Sequence, residues 1–449
     1  MSSSPRALWS TRFSFIMACA GAAVGIGNIW KFPYLVGENG GSAFVLLFLI
    51  SVTFIALPVL IGEILIGRLG RKNSVDTLSL LAKQYNASKY WSALGWLGCL
   101  TLLLILSFYS VVAGWSLAYL LKSITGQFLD LQLPQIHAIW TELLAKPSVL
   151  LFWHTIFMGL TVGVVAKGIH KGIEKLSNIL MPGLFLVLLF LVGYALTMGD
   201  AKSAWHFLFD FKLSDVTLHS IILAMGQAFF SMCTGAGAML IYGSYLPEKT
   251  QLASTTVIIA ILNTLVALLA GLAIFPLVFA HGISPAGGPG LMFLALPMAF
   301  TNMIGTTLIS TLFFTLLFFA AWTSSISMLE PLVALVTEKT NIKRSPASIM
   351  IGTFSWGLGL ITLYSFNIWQ DIKVLNQWSL FTIMTDLPTN IFLPIGGLLF
   401  SLFAGWVLPQ ALTKMEINIS ASWLYSIWLI NVRYIAPIAI FIVLIASIL

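Results

Sequence analysis

The amino-acid sequence predicts an all-α integral membrane protein of eleven transmembrane helices, arranged as two inverted five-helix repeats in which helices 1 and 6 are broken. Three observations lead there: an apolar composition, evenly recurring apolar runs, and two runs interrupted by residues that do not suit a helix. Of 449 residues, 59% are hydrophobic and 8% charged, whereas about a quarter of a water-soluble domain is charged. Runs of roughly 20 apolar residues, enough to cross a hydrocarbon core of about 30 Å, are centred near Gly21, Phe54, Leu106, Phe157, Leu186, Phe230, Leu268, Leu317, Gly357, Pro394 and Ile438. These are spans 1 to 11 in chain order, and no soluble domain fits between them.

Charge sets the expected orientation. The N-terminus and the loops after spans 2, 4, 6, 8 and 10 hold Arg6, Arg12, Arg68, Arg71, Lys72, Lys83, Lys89, Lys167, Lys171, Lys175, Lys249, Lys339, Lys343, Arg344 and Lys414, which is 15 of the 22 Lys and Arg. Basic loops stay in the cytoplasm, so the N-terminus is expected there and the protein in the inner (plasma) membrane. The net charge of +7 is then a matter of topology and lipid attraction, and no basic run is dense enough to suggest nucleic acid. Cys19, Cys99 and Cys233 all fall inside spans, so a disulfide framework is not expected.

The two interruptions lie five spans apart. Span 1 contains AGAAVGIGN, with Gly21, Gly25, Gly27 and Asn28; span 6 contains SMCTGAGAML, with Ser231, Thr234, Gly235 and Gly237 in mid-run. Unpaired backbone groups in lipid cost several kcal/mol each, so irregular backbone at that depth is expected to line a cavity or bind something. Matching breaks in spans 1 and 6 point to inverted repeats over about 10–197 and 217–409, with span 11 (about 421–449) outside them and a binding site at their interface. Close helix packing through Gly21 and Gly25 is the alternative use of those glycines. Pro182, after Gly172 in GIEKLSNILMP, is either an ordinary kink or a site of unwinding in span 5. The Gly- and Pro-rich stretch beginning at Ser284 is expected to form a short helical hairpin on the outer face.

A broken helix offers free N–H groups and the positive dipole end to an anion, and free carbonyls to a cation. Neutral oxygens gather at matching depths: Asn28 and Ser231 at the breaks, Asn263 in span 7, and Thr323, Ser324 and Ser325 in span 8. Without a cluster of carboxylates, such a set suits a monovalent cation better than Ca2+ or Mg2+. Taken singly, each hydroxyl in a membrane helix can instead bond back to a carbonyl one turn earlier. Lys31 and Asp386 are placed to pair as an outer gate, and Arg6 and Glu338 as an inner one; snorkelling to the interface is the competing use of the two cations. Glu63, Glu330 and Arg433 are either structural partners or proton sites. No HExxH pair exists and the histidines lie mostly in or near loops, so catalysis is not expected.

Taken together, WSTRFSFIMACAGAAVGIGNIWKFPYLVGENGG, IGEILIGR, GIEKLSNILMP, GQAFFSMCTGAGAMLIYGSY, GGPGLMFLALP, FAAWTSSISMLEP and VRYIAP resemble the neurotransmitter:sodium symporters, especially their bacterial amino-acid transporters, over essentially the whole chain. The resemblance implies two Na+ sites. The first would use Ala23 carbonyl, Asn28, Ser231, Asn263 and the substrate's own carboxylate; the second would use Gly21, Val24 and Ala320 carbonyls with Thr323 and Ser324 hydroxyls. Substrate carboxylate would meet the Ile26 and Gly27 amides and the Tyr109 hydroxyl, and its ammonium the Ala23, Phe230 and Ser231 carbonyls. The side-chain pocket would be Ile105, Val112, Phe230, Cys233, Ala236, Ser324 and Met328.

Monoamine carriers of this family resemble AVDLGN where this chain has AVGIGN; Gly25 in place of the Asp implies an amino acid that brings its own carboxylate. Ala236, where a leucine-selective relative is bulky, implies a large hydrophobic or aromatic one. Phe48 and Ala267 match neither the chloride-dependent pattern (Tyr and Ser) nor the chloride-independent one (an acid in place of that Ser), so chloride is not expected to be required. The implied activity is Na+-coupled amino-acid import by alternating access, the alternatives being a transporter-like amino-acid sensor or a carrier of another small zwitterion.

Overall fold

The computed structural model describes residues 7–284, 292–301, 303–374, 377–419 and 421–448. The chain is mostly helical, and the described residues contain one small antiparallel ladder, Lys373–Val374 with Trp378–Ser379. Among the described residues, nine helices are long and apolar enough to cross a membrane, or ten if the bent pair Arg12–Ala23 and Gly27–Glu38 is one span. The nine are Ser42–Gly70, Lys89–Ile124, Pro147–Ala166, Ile169–Met198, Leu252–Ala280, Thr306–Lys339, Arg344–Tyr364, Leu380–Val407 and Ser422–Ala446, and they fall on spans 2 to 5 and 7 to 11. Span 6 is divided into a shorter apolar helix, Leu218–Ser231, and the two-turn helix Ala238–Ser244.

Local chemistry starts these helices where the chain needs them. The Thr11 hydroxyl accepts from Ser14 N–H at the start of span 1, and Thr217 and Ser220 cap each other's backbone at the start of span 6, so the first orphan donors of both broken spans are met. Span 5 stays helical through Pro182, without unwinding there; a π-helical turn comes earlier, at Ile169–Glu174. Of the stretch beginning at Ser284, residues 285–291 lie outside the described residues. Its remainder forms the short helix Ala295–Thr301, and Phe293 packs edge-on to Trp115 and Tyr119 of span 3.

Glycines let backbone meet backbone around the break of span 6. A Cβ at Gly67 of span 2 would stand 1.8 Å from Leu240 O, one at Gly243 would stand 2.4 Å from Ile64 O, and one at Gly396 of span 10 would stand 1.8 Å from Gly235 O. Close approach of this kind replaces the hydrophobic drive that helices in lipid lack. It wedges the second half of span 6 against span 2 and the break itself against span 10.

Gly396→Ala is therefore expected to destabilise the protein by about 1–3 kcal/mol, the usual cost of overpacking. A lowered thermal midpoint of the detergent-purified protein checks this; an unchanged midpoint would mean that the contact with Gly235 yields freely.

Candidate functional site

Span 1 stops at Ala23. Val24 is extended (φ −78°, ψ 94°) and the chain resumes at Gly27 at an angle of 52° to the first half. Span 6 stops at Ser231 and resumes at Ala238, after Cys233, Gly235 and Gly237 at φ +53°, +94° and +74°. Glycine carries two of these left-handed positions at no steric cost; Cys233 bears its own. The break of span 6 is tied to spans 10 and 2: Gly235 O lies under Gly396 and Gly235 N–H donates to the Glu63 carboxylate.

Where the two breaks face each other, oxygens converge. Asn28 Nδ2 donates to Asn263 O at 2.9 Å and to Asn263 Oδ1 at 2.8 Å, while Asn28 Oδ1, fully buried, has no hydrogen-bond partner. The Asn263 amide oxygen faces Ser231 O and Ala23 O, 3.1 and 3.3 Å away; turned over, the amide would donate its N–H groups to both. Oxygen inward suits a cation among these groups, and nitrogen inward suits its absence. Ala23, Asn28, Ser231 and Asn263, expected to form one site, are thus brought together.

The second expected cluster also forms. Ser324 Oγ lies 3.0 Å from Gly21 O and 3.3 Å from Val24 O, and Thr323 Oγ1 lies 3.2 Å from Ala320 O. Both hydroxyls bond carbonyls, as isolated hydroxyls in membrane helices do, but Ser324 bonds those of another span across the break.

Between the clusters lies a cavity of about 20 Å³, lined by Ala22, Ala23, Gly25, Gly27, Leu102, Ile105, Tyr109, Phe230, Cys233, Ala236, Ser324, Met328 and Leu393. That is room for little more than one water, so a larger ligand requires the walls to part. The wall is apolar toward Leu102, Ile105, Ala236, Met328 and Leu393, and polar toward Tyr109 and Ser324. Tyr109 accepts the Ile26 N–H at 3.2 Å. Gly25 is pinched: a Cβ there would stand 2.6 Å from Ser324 Oγ and 2.9 Å from Tyr109 OH.

Above Tyr109 and Phe230 opens a larger cavity of about 230 Å³, which holds Ile26, Lys31, Val112 and Asp386. Val112 and Ile26 thus line this second cavity and not the smaller pocket. Lys31 and Asp386 share it without an ion pair; the Lys31 ammonium sits 4.8 Å from the centre of the Phe230 ring, a cation–π placement. Phe230 forms the floor of one cavity and the roof of the other.

At the opposite end the way is shut. Trp9 N–H donates to Tyr245 O at 2.9 Å, its indole N–H donates to Tyr242 O at 3.0 Å, and Tyr245 OH donates to Glu330 at 2.8 Å. Glu330 in turn is paired with Arg344, which also donates to Val165 O. Glu338 accepts from Asn73 N–H and Nδ2; Arg6, its expected partner, lies outside the described residues. Glu330 is thereby a structural partner, and so is Arg433, which donates to Gly405 O and stacks on Trp406.

Sequence reading missed Leu102 and Leu393 in the pocket wall and the hold of Glu63 on the break. Nothing in a run of leucines marks which one faces inward. Phe48 and Ala267 are fully buried, with the Phe48 ring 4.8 Å from that of Phe32.

Residues 6–133 and 135–449 match the sodium:neurotransmitter symporter family. The chain belongs to that family. This symporter-family chain is 37% identical to the sodium-dependent transporter YhdH of Bacillus subtilis over 443 residues, 97% of this chain and 96% of the relative. It is 34% identical over 450 residues to a sodium-dependent transporter of Haemophilus influenzae, covering 98% of each. Its fold matches the crystal structure of MhsT in complex with L-phenylalanine with a TM-score of 0.92 and 38% identity, over 98% of this chain and 100% of that one. The protein is a sodium-dependent, multi-pass membrane transporter and not an enzyme.

Gly25→Ala is expected to weaken ligand binding by on the order of tenfold, about 1.4 kcal/mol, because the new methyl displaces both Ser324 and Tyr109. Scintillation proximity binding with a labelled amino-acid substrate measures this, and undiminished affinity would show that the pinch is not part of the site.

Proposed function

We propose that the protein imports a large hydrophobic or aromatic amino acid together with Na+ by alternating access. The observation that carries the proposal is the facing of two helix breaks whose free carbonyls join neutral side-chain oxygens on either side of an apolar pocket. Eleven spans are counted when residues 218–244 form one interrupted span. Inverted repeats over about 10–197 and 217–409 would then put the breaks of spans 1 and 6 in equivalent places, with span 11 added outside them.

Two Na+ ions are the coupled cargo. One would lie among Ala23 O, Asn28 Oδ1, Ser231 and Asn263 Oδ1, which gives the orphaned Asn28 oxygen a partner. The other would lie among the carbonyls of Gly21, Val24 and Ala320 and the hydroxyls of Thr323 and Ser324. The substrate carboxylate would meet the Ile26 and Gly27 amides and the Tyr109 hydroxyl, and complete the first ion site. Ion and amino acid then raise each other's affinity by the same factor. The ammonium would meet the Ala23, Phe230 and Ser231 carbonyls.

Substrate size follows from the wall. Leu102, Ile105, Ala236, Met328 and Leu393 carry no charge, and each methylene buried among them gains about 0.8 kcal/mol. MhsT holds L-phenylalanine in its crystal structure, and a similar ligand here needs the pocket to widen, with Phe230 lifting from Gly27. Chloride is not required in this reading, because Phe48 and Ala267 stand where chloride-dependent relatives are expected to carry a Tyr and a Ser.

The open cavity beyond Lys31 and the shut network around Trp9 describe a carrier facing outward, if the basic loops and the N-terminus lie in the cytoplasm of the inner membrane. Lys31 and Asp386 would close the outer cavity over bound substrate. Loss of the second ion would free Gly21 and Val24 from span 8 and let the first half of span 1 swing away with Trp9, and the π-helical turn of span 5 would yield with it.

Proteoliposomes test the proposal. An inward Na+ gradient is expected to drive phenylalanine accumulation, and saturable binding without accumulation would favour a sensor. In the same assay Asn263→Ala is expected to raise the Na+ concentration for half-maximal uptake several-fold; unchanged Na+ dependence would remove Asn263 from the ion site.

A further inference from the structure

At the closed end of the protein, beside Trp9, one carboxylate joins two segments that lie 164 residues apart in the chain. Glu174, in the π-helical turn that opens span 5, presents Oε2 to Ser10, just ahead of span 1. The Ser10 hydroxyl donates to that oxygen at 3.1 Å and the Ser10 N–H at 3.4 Å. His170, in the same π-helical turn, brings Nδ1 to 3.0 Å from Glu174 Oε2 and 3.2 Å from the Ser10 hydroxyl. The Glu174 side chain is 8% exposed and that of His170 50%, so the carboxylate is sheltered while the imidazole reaches solvent.

Ser10 stands next to the shut network. Its neighbour Trp9 donates to Tyr245 O and Tyr242 O, and Thr11 on its other side caps span 1. A second tie lies deeper on span 5, where Asn178 Nδ2 donates to Ser14 Oγ at 2.9 Å. Ser10 and Glu174 therefore bind together the two parts that would separate in the proposed cycle, the first half of span 1 and the π-helical turn of span 5.

Protonation changes what His170 contributes. A neutral imidazole carries one N–H, and its Nδ1 either donates to Glu174 or accepts from Ser10. An imidazolium donates from Nδ1 in every case and sets a charge against the carboxylate, which strengthens the bond. Histidine is the side chain that makes this change near physiological pH. Other charges around the turn are engaged elsewhere or solvated: Lys167, Lys171 and Lys175 are exposed, Arg12 of span 1 donates to Thr255 and Ser254, and Arg344, near Gly168, is paired with Glu330. Of the titratable groups further along the packed helices, Cys19 on span 1 is buried, His154 on span 4 bonds Trp356 O, and Tyr194 on span 5 donates to Ile304 O.

We propose that Ser10, His170 and Glu174 form a latch that reads the pH of the cytoplasm. A proton taken up from that side by His170 tightens the hold of span 5 on span 1 and slows inward opening; its loss lets the two part sooner. None of the three residues lines the pocket, so the latch acts on the rate of turnover. This inference rests on the Na+-coupled reading above and on its orientation.

The test is Na+-driven uptake of labelled phenylalanine into proteoliposomes whose lumen is buffered from about pH 8 to about pH 6, a range that spans the titration of an imidazole, with the outer solution held constant. The initial rate of the unmodified protein is expected to fall by about two- to fivefold toward the acid end, which is what a half-exposed ion pair supplies. His170→Gln, which cannot take up the proton, is expected to transport at a rate independent of lumenal pH. His170→Lys, charged throughout, is expected to be slow at both ends of the range. Equal lumenal pH dependence in the His170→Gln protein overturns the proposal, as does an unmodified protein whose rate does not fall on acidification; both leave Na+-coupled transport standing. A His170→Gln protein that binds phenylalanine yet transports slowly at every pH also counts against it, since the imidazole would then be needed for the turn itself. Absence of Na+-driven uptake in the unmodified protein overturns the transport reading and this one together.

Discussion

Everything in this protein is arranged around backbone groups that have no partner in their own helix. In a bilayer such groups cost several kcal/mol each, and here two helices stop in mid-membrane and face each other. The free carbonyls of Gly21 and Val24 are met by Ser324, and those of Ala23 and Ser231 face the Asn263 amide, which reaches them as a donor only when turned nitrogen-inward. The free amides are met by Tyr109 at Ile26 and by Glu63 at Gly235. The substitutes are side chains from other spans, so the two breaks are held only while spans 2, 3, 7 and 8 stand where they do.

That dependence explains the packing. Glycines at 67 and 243 let span 2 touch the second half of span 6 backbone to backbone, and Gly396 lets span 10 touch its break at Gly235, which leaves little freedom there. The opposite wall, formed by spans 3 and 8, supplies Tyr109, Ile105, Ser324 and Met328. A pair of long helices thus faces two interrupted ones. In the proposed cycle the same breaks that would admit an ion would also serve as hinges.

Much of this was legible in the sequence because the breakers are conspicuous against their surroundings. Gly21, Gly25, Gly27 and Asn28 in one run and Thr234, Gly235 and Gly237 in another could be read as paired breaks, and the structure unwinds at Val24 and between Ser231 and Ala238. Asn263, Thr323 and Ser324 stood out as polar groups at the right depth. What could not be read has a common cause: apolar residues surround every span, so no period marks which one faces a cavity. Leu102 and Leu393 were invisible for that reason, and Val112 faces the outer cavity instead of the inner one. The π-helical turns at Val52–Ala56, Ile169–Glu174 and Asn431–Ile435 leave no composition of their own. Lys31 was read as a partner for Asp386, yet its ammonium rests on Phe230, because ring placement depends on tertiary contacts that spacing does not encode.

In the proposed mechanism the broken helices bind cation and amino acid as one unit. Equilibrium binding of labelled phenylalanine to the detergent-purified protein, with Na+ replaced stepwise by K+ at constant ionic strength, tests it most directly. Affinity that rises steeply with Na+ is the expected result. Equal binding in Na+ and K+ would contradict the shared site and leave the oxygens around Asn28 and Ser324 without the role assigned to them.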